Sequence, residues 1–318
     1  MKSDSPANLR RKIGSAADLQ SVVRAMKAQA AASVGQYERS VAALGDYAHS
    51  VELGLGVCFR QAAALAAPPS VPRPKADLEI RAIVFGSDQG LVGRFNDVVV
   101  EHARMSLAQL PAKASVWAVG ERVQASLLDT DMPLLGVFAV PLSVQAIAVR
   151  VAEMLVTVVQ QSHDLDRPGR SIELHLFYNR PGSGSGYAPV GQRLLPLDGD
   201  WQRALARQPW PTGMLPETLG HATTTLRALI REYLFVSLFR ACAESLASEN
   251  ASRLAAMDRA DRNIDDMLGT LDDSLHRMRQ ARIDEELSDV ISGFKALAAQ
   301  EPGDLSGSVN AGSVAPGG

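Results

Sequence analysis

From residue 217 to residue 301 the chain runs for 85 residues without a proline and with only three glycines, Gly220, Gly269 and Gly293. Proline in a helix interior costs about 3 kcal/mol, so its absence over this length permits one very long helix. At ~1.5 Å per residue, 80 helical residues span roughly 120 Å, far more than a compact domain needs. Leu254, Met257, Ile264, Leu268, Leu271, Leu275 and Met278 fall on alternating three- and four-residue steps, broken only by Asp261 and Arg282. This is a heptad seam, and a seam requires a partner helix.

The other end of the chain supplies one. Residues 7–67 contain no proline, and Val34, Tyr37, Val41, Leu44, Ala48, Val51, Leu55, Cys58, Ala62 and Leu65 are ten consecutive apolar heptad positions. Upstream, Ile13, Leu19, Val23 and Met26 continue the stripe less regularly. The helix stops at the proline-rich segment 67–74, a stiff linker. A core helix of an ordinary bundle is the plainer reading, but a bundle needs further helices of similar length, which the middle of the chain does not offer. The two long helices are therefore expected to pair antiparallel.

Between them the pattern alternates. Strands are expected at 78–85, 115–119, 134–140 and 172–178, helices at 95–110, 122–128 and 142–162, a flexible turn at 181–186, and a returning edge strand at 189–197. Strand–helix alternation predicts a mostly parallel sheet covered on both faces. Residues 198–213 read as a linker carrying proline and tryptophan. The expected fold is an antiparallel coiled coil of long N- and C-terminal helices with an inserted Rossmann-like α/β domain. Its divisions are 1–67, 76–197, 214–297 and a disordered tail, 298–318, too poor in apolar residues to build a core.

Composition narrows the function. A formal net charge of −3 and 5% aromatic residues argue against a nucleic-acid binder, which needs basic surfaces and stacking platforms. The first fifteen residues are basic but carry no apolar run, so no signal peptide is expected. The longest uncharged run, 132–149, contains Pro133, Gly136, Pro141, Ser143 and Gln145 and suits a buried strand and helix start better than a membrane span. Cys58 and Cys242 lie on apolar helical faces and read as reduced core thiols of a cytoplasmic protein, a bridge between the two helices being the alternative.

Chemistry is sparse. The loop at 86–96 follows a strand and opens a helix, where nucleotide-binding loops sit. Its glycines, Gly86, Gly90 and Gly93, match neither phosphate-loop spacing, and no lysine follows them. The six histidines are scattered, no Cys-x-x-Cys occurs, and no serine sits in a nucleophile elbow, so neither metal nor cofactor is expected. The Asp and Arg residues of the C-terminal helix read as solvated faces and intrahelical pairs, or as a charged face that meets a partner.

Three stretches resemble the γ subunit of the F-type ATP synthase. Ile13-Gly14-Ser15 followed by Val22-Val23-Arg24-Ala25-Met26 is similar to the family's N-terminal motif. Ser87-Asp88-Gln89-Gly90-Leu91-Val92-Gly93-Arg94-Phe95-Asn96 matches its middle loop at seven of ten positions. Ser248-Glu249, Arg253, Ala256-Met257, Asn263, Arg279-Gln280-Ala281, Ile283, Glu286-Leu287 and Val290 to Gly293 follow its C-terminal signature. The resemblance implies a non-catalytic central-stalk rotor that couples ion flow through the membrane sector to ATP synthesis or hydrolysis. Implied partners are the catalytic and noncatalytic subunits of the F1 head, the ε subunit and the membrane c-ring, at the cytoplasmic face of a bacterial inner membrane. Arg279 and Gln280 match a polar pair that contacts catalytic subunits; Met26, Arg253 and Glu286 match other coupling positions.

The departures are Gln89 for a basic residue, Val23-Arg24 for Thr-Lys, Ser33 for a lysine, Leu275-His276 for Tyr-Asn, and Asp284 for a threonine. They bear on contacts rather than fold, and are similar to what a divergent, alternative bacterial F-type enzyme shows. The coupling ion, proton or sodium, is set in the membrane ring. The tail after Leu297 is longer than the family's and is expected to emerge at the apex of the head. Two rivals remain: a nucleotide-binding α/β protein using residues 86–96, and a self-associating coiled-coil adaptor.

Overall fold

The structure, a computed structural model, describes residues 5–65, 77–163, 170–182, 186–214, 216 and 221–299. The linker at 67–74 and the tail from 300 lie outside the described residues. The chain divides into two compact units, Val23–Ala260 and Met1–Val22 with Asp261–Gly318.

In the larger unit a five-stranded sheet forms from β1 (Asp77–Phe85), β2 (Ala114–Val119), β3 (Leu134–Phe138), β4 (Arg170–Pro181) and β5 (Tyr187–Leu195), in the order β3-β2-β1-β4-β5. The first four strands are parallel, and β5 returns antiparallel along β4, pairing Tyr178 with Val190. Helices α2 (Phe95–Leu107), α3 (Glu121–Leu128) and α4 (Val144–His163) make the crossovers. Strand β1 is buried on both faces. Ile80, Ala82 and Val84 pack with Val99, Ala103, Val123 and Leu127 of α2 and α3. Ile83 and Phe85 pack on the other face with Ile147, Val151 and Met154 of α4 and with Leu238, Ala241 and Cys242 of α6 (Ala222–Ala299). From Ala82 to Phe85 the strand is an unbroken apolar run, as a doubly covered parallel strand requires, with buried Arg81 the one charged residue between Ile80 and Ala82.

Several ends differ from the sequence expectation for local reasons. Helix α2 stops at Leu107, after which the Gln109 and Leu110 amides bond three residues back, to the Ser106 and Leu107 carbonyls, in a turn that leads to Pro111. Strand β3 stops at Phe138, because the Val140 amide is taken by the Asp88 carboxylate. Helix α4 begins at Val144 because Ser143 Oγ accepts from the Ala146 amide, which leaves Leu142 outside, 89% exposed.

The segment 198–213 is not simply a linker. It holds a further helix, α5 (Gly199–Arg207), whose N-cap Asp198 accepts from the Trp201 amide. Leu205 and Trp201 pack with Val51 and Leu55 of α1 (Pro6–Leu65) and with Leu229 and Tyr233 of α6. Both cysteines are free and buried. Burial pushes both thiols above their ordinary value.

Within the larger unit α1 and α6 run antiparallel. Lys27 meets Asp258 at 2.5 Å, and the Tyr47 hydroxyl donates to Glu232 at 2.7 Å. Every described position of the seam from Val34 to Cys58 is buried or half-buried. Its upstream part follows a different course from the expected stripe. Leu19 is 55% exposed, whereas Gln20 and Val23 are buried. The heptad continues through Leu9, Ile13, Ala16, Gln20, Val23, Lys27 and Ala30, so two polar residues hold seam positions. In the smaller unit Gln20 donates to the Asp265 carboxylate, and Ile264 is buried beside Ala16.

Candidate coupling surfaces

Open α/β sheets bind ligands beyond the carboxyl ends of their strands, where the strand order reverses. Here that point lies between β1 and β4, and the protein fills it. The Gly86 amide donates to the Val119 carbonyl at 2.9 Å, and a Cβ on Gly86 would lie 2.3 Å from the Val123 side chain. The Ser87 amide donates to Asn96 Oδ1 at 3.0 Å, while Asn96 Nδ2 donates to Ser87 Oγ at 2.9 Å. Asp88 accepts the Glu121 and Val140 amides, both at 3.0 Å, and so ties together the loops that leave β1, β2 and β3. Gly120 adopts φ 117°, and a Cβ there would stand 2.6 Å from the Ser87 carbonyl oxygen, so only glycine lets these loops meet.

From the opposite side Asn179, at the end of β4, donates through Nδ2 to the Phe95 carbonyl at 2.9 Å. Its own carbonyl accepts from Ser248 Oγ of α6 at 3.0 Å. Ser252 Oγ donates to the Val92 carbonyl at 2.6 Å. A phosphate-binding loop needs free backbone amides, yet Gly86 and Ser87 spend theirs on the protein, and α6 covers the crevice. The start of the loop is thus closed to a phosphate, while Gly90 to Gly93 line an open pocket with Arg122 and Ser126. The loop's middle motif instead seats the long helix.

The five residues singled out by the sequence divide between the two units. Met26 is half-buried on α1. Arg253 turns back onto α6, its Nη2 2.6 Å from Glu249 Oε1, with side chains 12% and 6% exposed. Burial raises the Glu249 carboxyl above its ordinary value, and the adjacent Arg253 opposes that shift. Tyr37 of α1 is raised as well, by burial and then by Glu249. In the other unit Arg279, Gln280 and Glu286 are exposed on α6. Gln280 donates to Asp284 at 3.1 Å, and Arg282 pairs with Glu286 at 3.0 Å.

Sequence reasoning missed a stripe along the same end of α6. Ile283, Leu287, Val290, Ile291 and Phe294 are 48–76% exposed. Ile283, Leu287, Val290 and Phe294 keep the four-three-four spacing of a seam, in a heptad frame set two residues off the series that ends at Met278. That shift in phase was the available signal. A contiguous exposed apolar face on a helix marks a surface for another molecule. Among the described residues no group of three or more His, Cys, Asp or Glu is placed to hold a metal ion, and no helix is long and apolar enough to cross a membrane.

A family model described as ATP synthase matches residues 5–297. The ATP synthase gamma chain of Chelativorans sp. is 28% identical over 294 residues, covering 91% of this chain and 98% of that one. That of Moorella thermoacetica is 29% identical over 296 residues with the same coverage. Among solved structures, a chain of the Euglena gracilis mitochondrial ATP synthase, OSCP/F1/c-ring in rotational state 3, superposes with a TM-score of 0.58 at 15% identity, covering 95% of this chain and 98% of that one. A chain of the rotor of the same enzyme in rotational state 1 gives 0.54 at 15% identity, with 87% and 98% covered. These likenesses show the fold, and the match over nearly the whole sequence shows the lineage: the chain belongs to the ATP synthase γ-subunit family.

Proposed function

We propose that this chain is the central-stalk rotor of an F-type ATP synthase, carrying rotation between an ion-driven membrane ring and the catalytic head. The observation that carries this reading is the exposed end of α6, where Ile283, Leu287 and Phe294 follow Arg279 and Gln280 along the helix. Such a face suits insertion into a sleeve of catalytic and noncatalytic subunits. Arg279, Gln280 and Glu286 are then the polar contacts that distinguish one catalytic subunit from the next, and Met26 and Arg253 act lower on the shaft. A rotor needs no chemistry of its own. Its asymmetric contacts have only to favour one state of each catalytic site over another.

The working division is the helix at 1–67, the α/β domain at 76–197, the helix at 214–297 and the tail at 298–318. The α/β domain and adjoining coiled coil take the ε subunit and the c-ring as partners, at the cytoplasmic face of a bacterial inner membrane. Co-purification tests this directly: one copy of the chain per six-subunit head supports it. A stable homodimer free of other subunits, or micromolar binding of labelled ATP or NAD by the isolated chain, contradicts it.

A further inference from the structure

We propose that Ser248 and Ser252 of α6, with Asn179 of β4, are positioning residues that lock the α/β domain to the long helix so that torque passes between them. This rests on the rotor reading above. Most of the α6 contact with the sheet is apolar: Ala243, Leu246 and Ala247 are buried against the core shared with Ile83 and Leu176. Apolar contact is non-directional, so by itself it resists separation better than sliding or twisting.

Directional bonds supply what it lacks. Ser252 Oγ holds the Val92 carbonyl at 2.6 Å and Ser248 Oγ holds the Asn179 carbonyl at 3.0 Å. The Asn179 amide in turn holds the Phe95 carbonyl at 2.9 Å. The three bonds converge on one loop–helix junction. That junction is itself braced by the Ser87–Asn96 pair and by Asp88, which reaches the loops after β2 and β3. Ser248 and Asn179 are both 0% exposed, so water cannot replace a broken partner there, and a buried group left unpaired carries its full desolvation cost. A turn of α6 against the sheet has to break the Ser248 and Ser252 bonds together. The Arg180–Glu244 pair at 2.8 Å adds less, because Arg180 is half exposed.

The test is Ser248→Ala with Ser252→Ala in the assembled complex in membrane vesicles. Ions pumped per ATP hydrolysed are measured, together with amide exchange across residues 92–96. The lock predicts that pumping per ATP falls roughly twofold or more under a membrane gradient while hydrolysis continues. Loss of two hydroxyls also raises exchange at the loop by roughly 5- to 30-fold. Ser252→Thr, which keeps the hydroxyl, restores the ratio relative to Ser252→Ala. Unchanged pumping ratio and exchange in an assembled complex overturn the lock. If the double variant fails to assemble, Ser252→Ala alone is measured in the same way, since that side chain is only half-buried. An unchanged ratio and exchange in that single variant overturn the lock equally. A wild-type chain that never joins an ATPase refutes the rotor reading instead.

Discussion

Lys27 on α1 and Asp258 on α6 meet at 2.5 Å in a seam whose adjoining α1 positions, Val23 and Ala30, are buried and apolar. Gln20 bonds Asp265 in the same way, one heptad away on each helix. Polar layers of this kind fix the register of a coiled coil at some cost in stability. The Lys27 and Asp258 side chains are 36% and 40% exposed, so the pair is screened. A double-mutant cycle with Lys27→Met and Asp258→Asn in the isolated chain should give a coupling of about 0.5–1 kcal/mol, shrinking in 1 M salt.

The carboxyl of Glu249 imposes a pH dependence. Its folded value lies above the ordinary 4.5, because burial outweighs the help from Arg253. The groups that face it are Arg253 and Cys242 on α6, Tyr37 on α1, and Asp88 in the loop after β1. Between 4.5 and that raised value the folded state holds the proton more tightly than the unfolded state. The contribution of this group is therefore fully present below 4.5 and is lost as pH rises through the folded value. Denaturant unfolding of wild type and Glu249→Gln at pH 5 and pH 8 checks this. The advantage of wild type over the variant should be larger at pH 5.

Ile264 is 6% exposed in the smaller unit, lining an apolar groove with Ala16, Leu19 and Leu271. Ile264→Ala should cost about 2–4 kcal/mol locally. Amide exchange should quicken across 261–299 and stay unchanged in the sheet, since β1 to β5 belong to the other unit.

Arg279 and Gln280 are exposed, so their replacement by alanine should leave the melting temperature of the chain within about 1 °C, in line with the small effect of surface substitutions. ATP turnover of the assembled complex should fall. Normal assembly with normal turnover would remove both residues from the proposed contact.

Much of this was legible from residue spacing. The seam from Val34 to Cys58 announced α1, and the parallel sheet followed from strand–helix alternation. Gln20 and Lys27 hid the seam's upstream course, because a binary pattern reads a polar residue as solvent-facing, while their partners Asp265 and Asp258 lie more than 200 residues away in sequence. Helix α5 was hidden by Gly199, Pro209 and Pro211, although Asp198 followed by Trp201 and Leu205 is a cap with an apolar face behind it. The middle loop looked like a nucleotide site for a sound reason, its place at the end of β1. Only the bonds from Ser248 and Ser252 reveal that a helix fills the crevice, and such long-range bonds leave no periodic trace in a sequence.

The most direct measurement attaches a fluorescent bead to the α/β domain of this chain in a complex whose head is fixed to a surface. On addition of ATP the bead should rotate stepwise in one direction, with one such chain per head. A chain that stays still while ATP is hydrolysed, or that leaves the complex without loss of turnover, contradicts it.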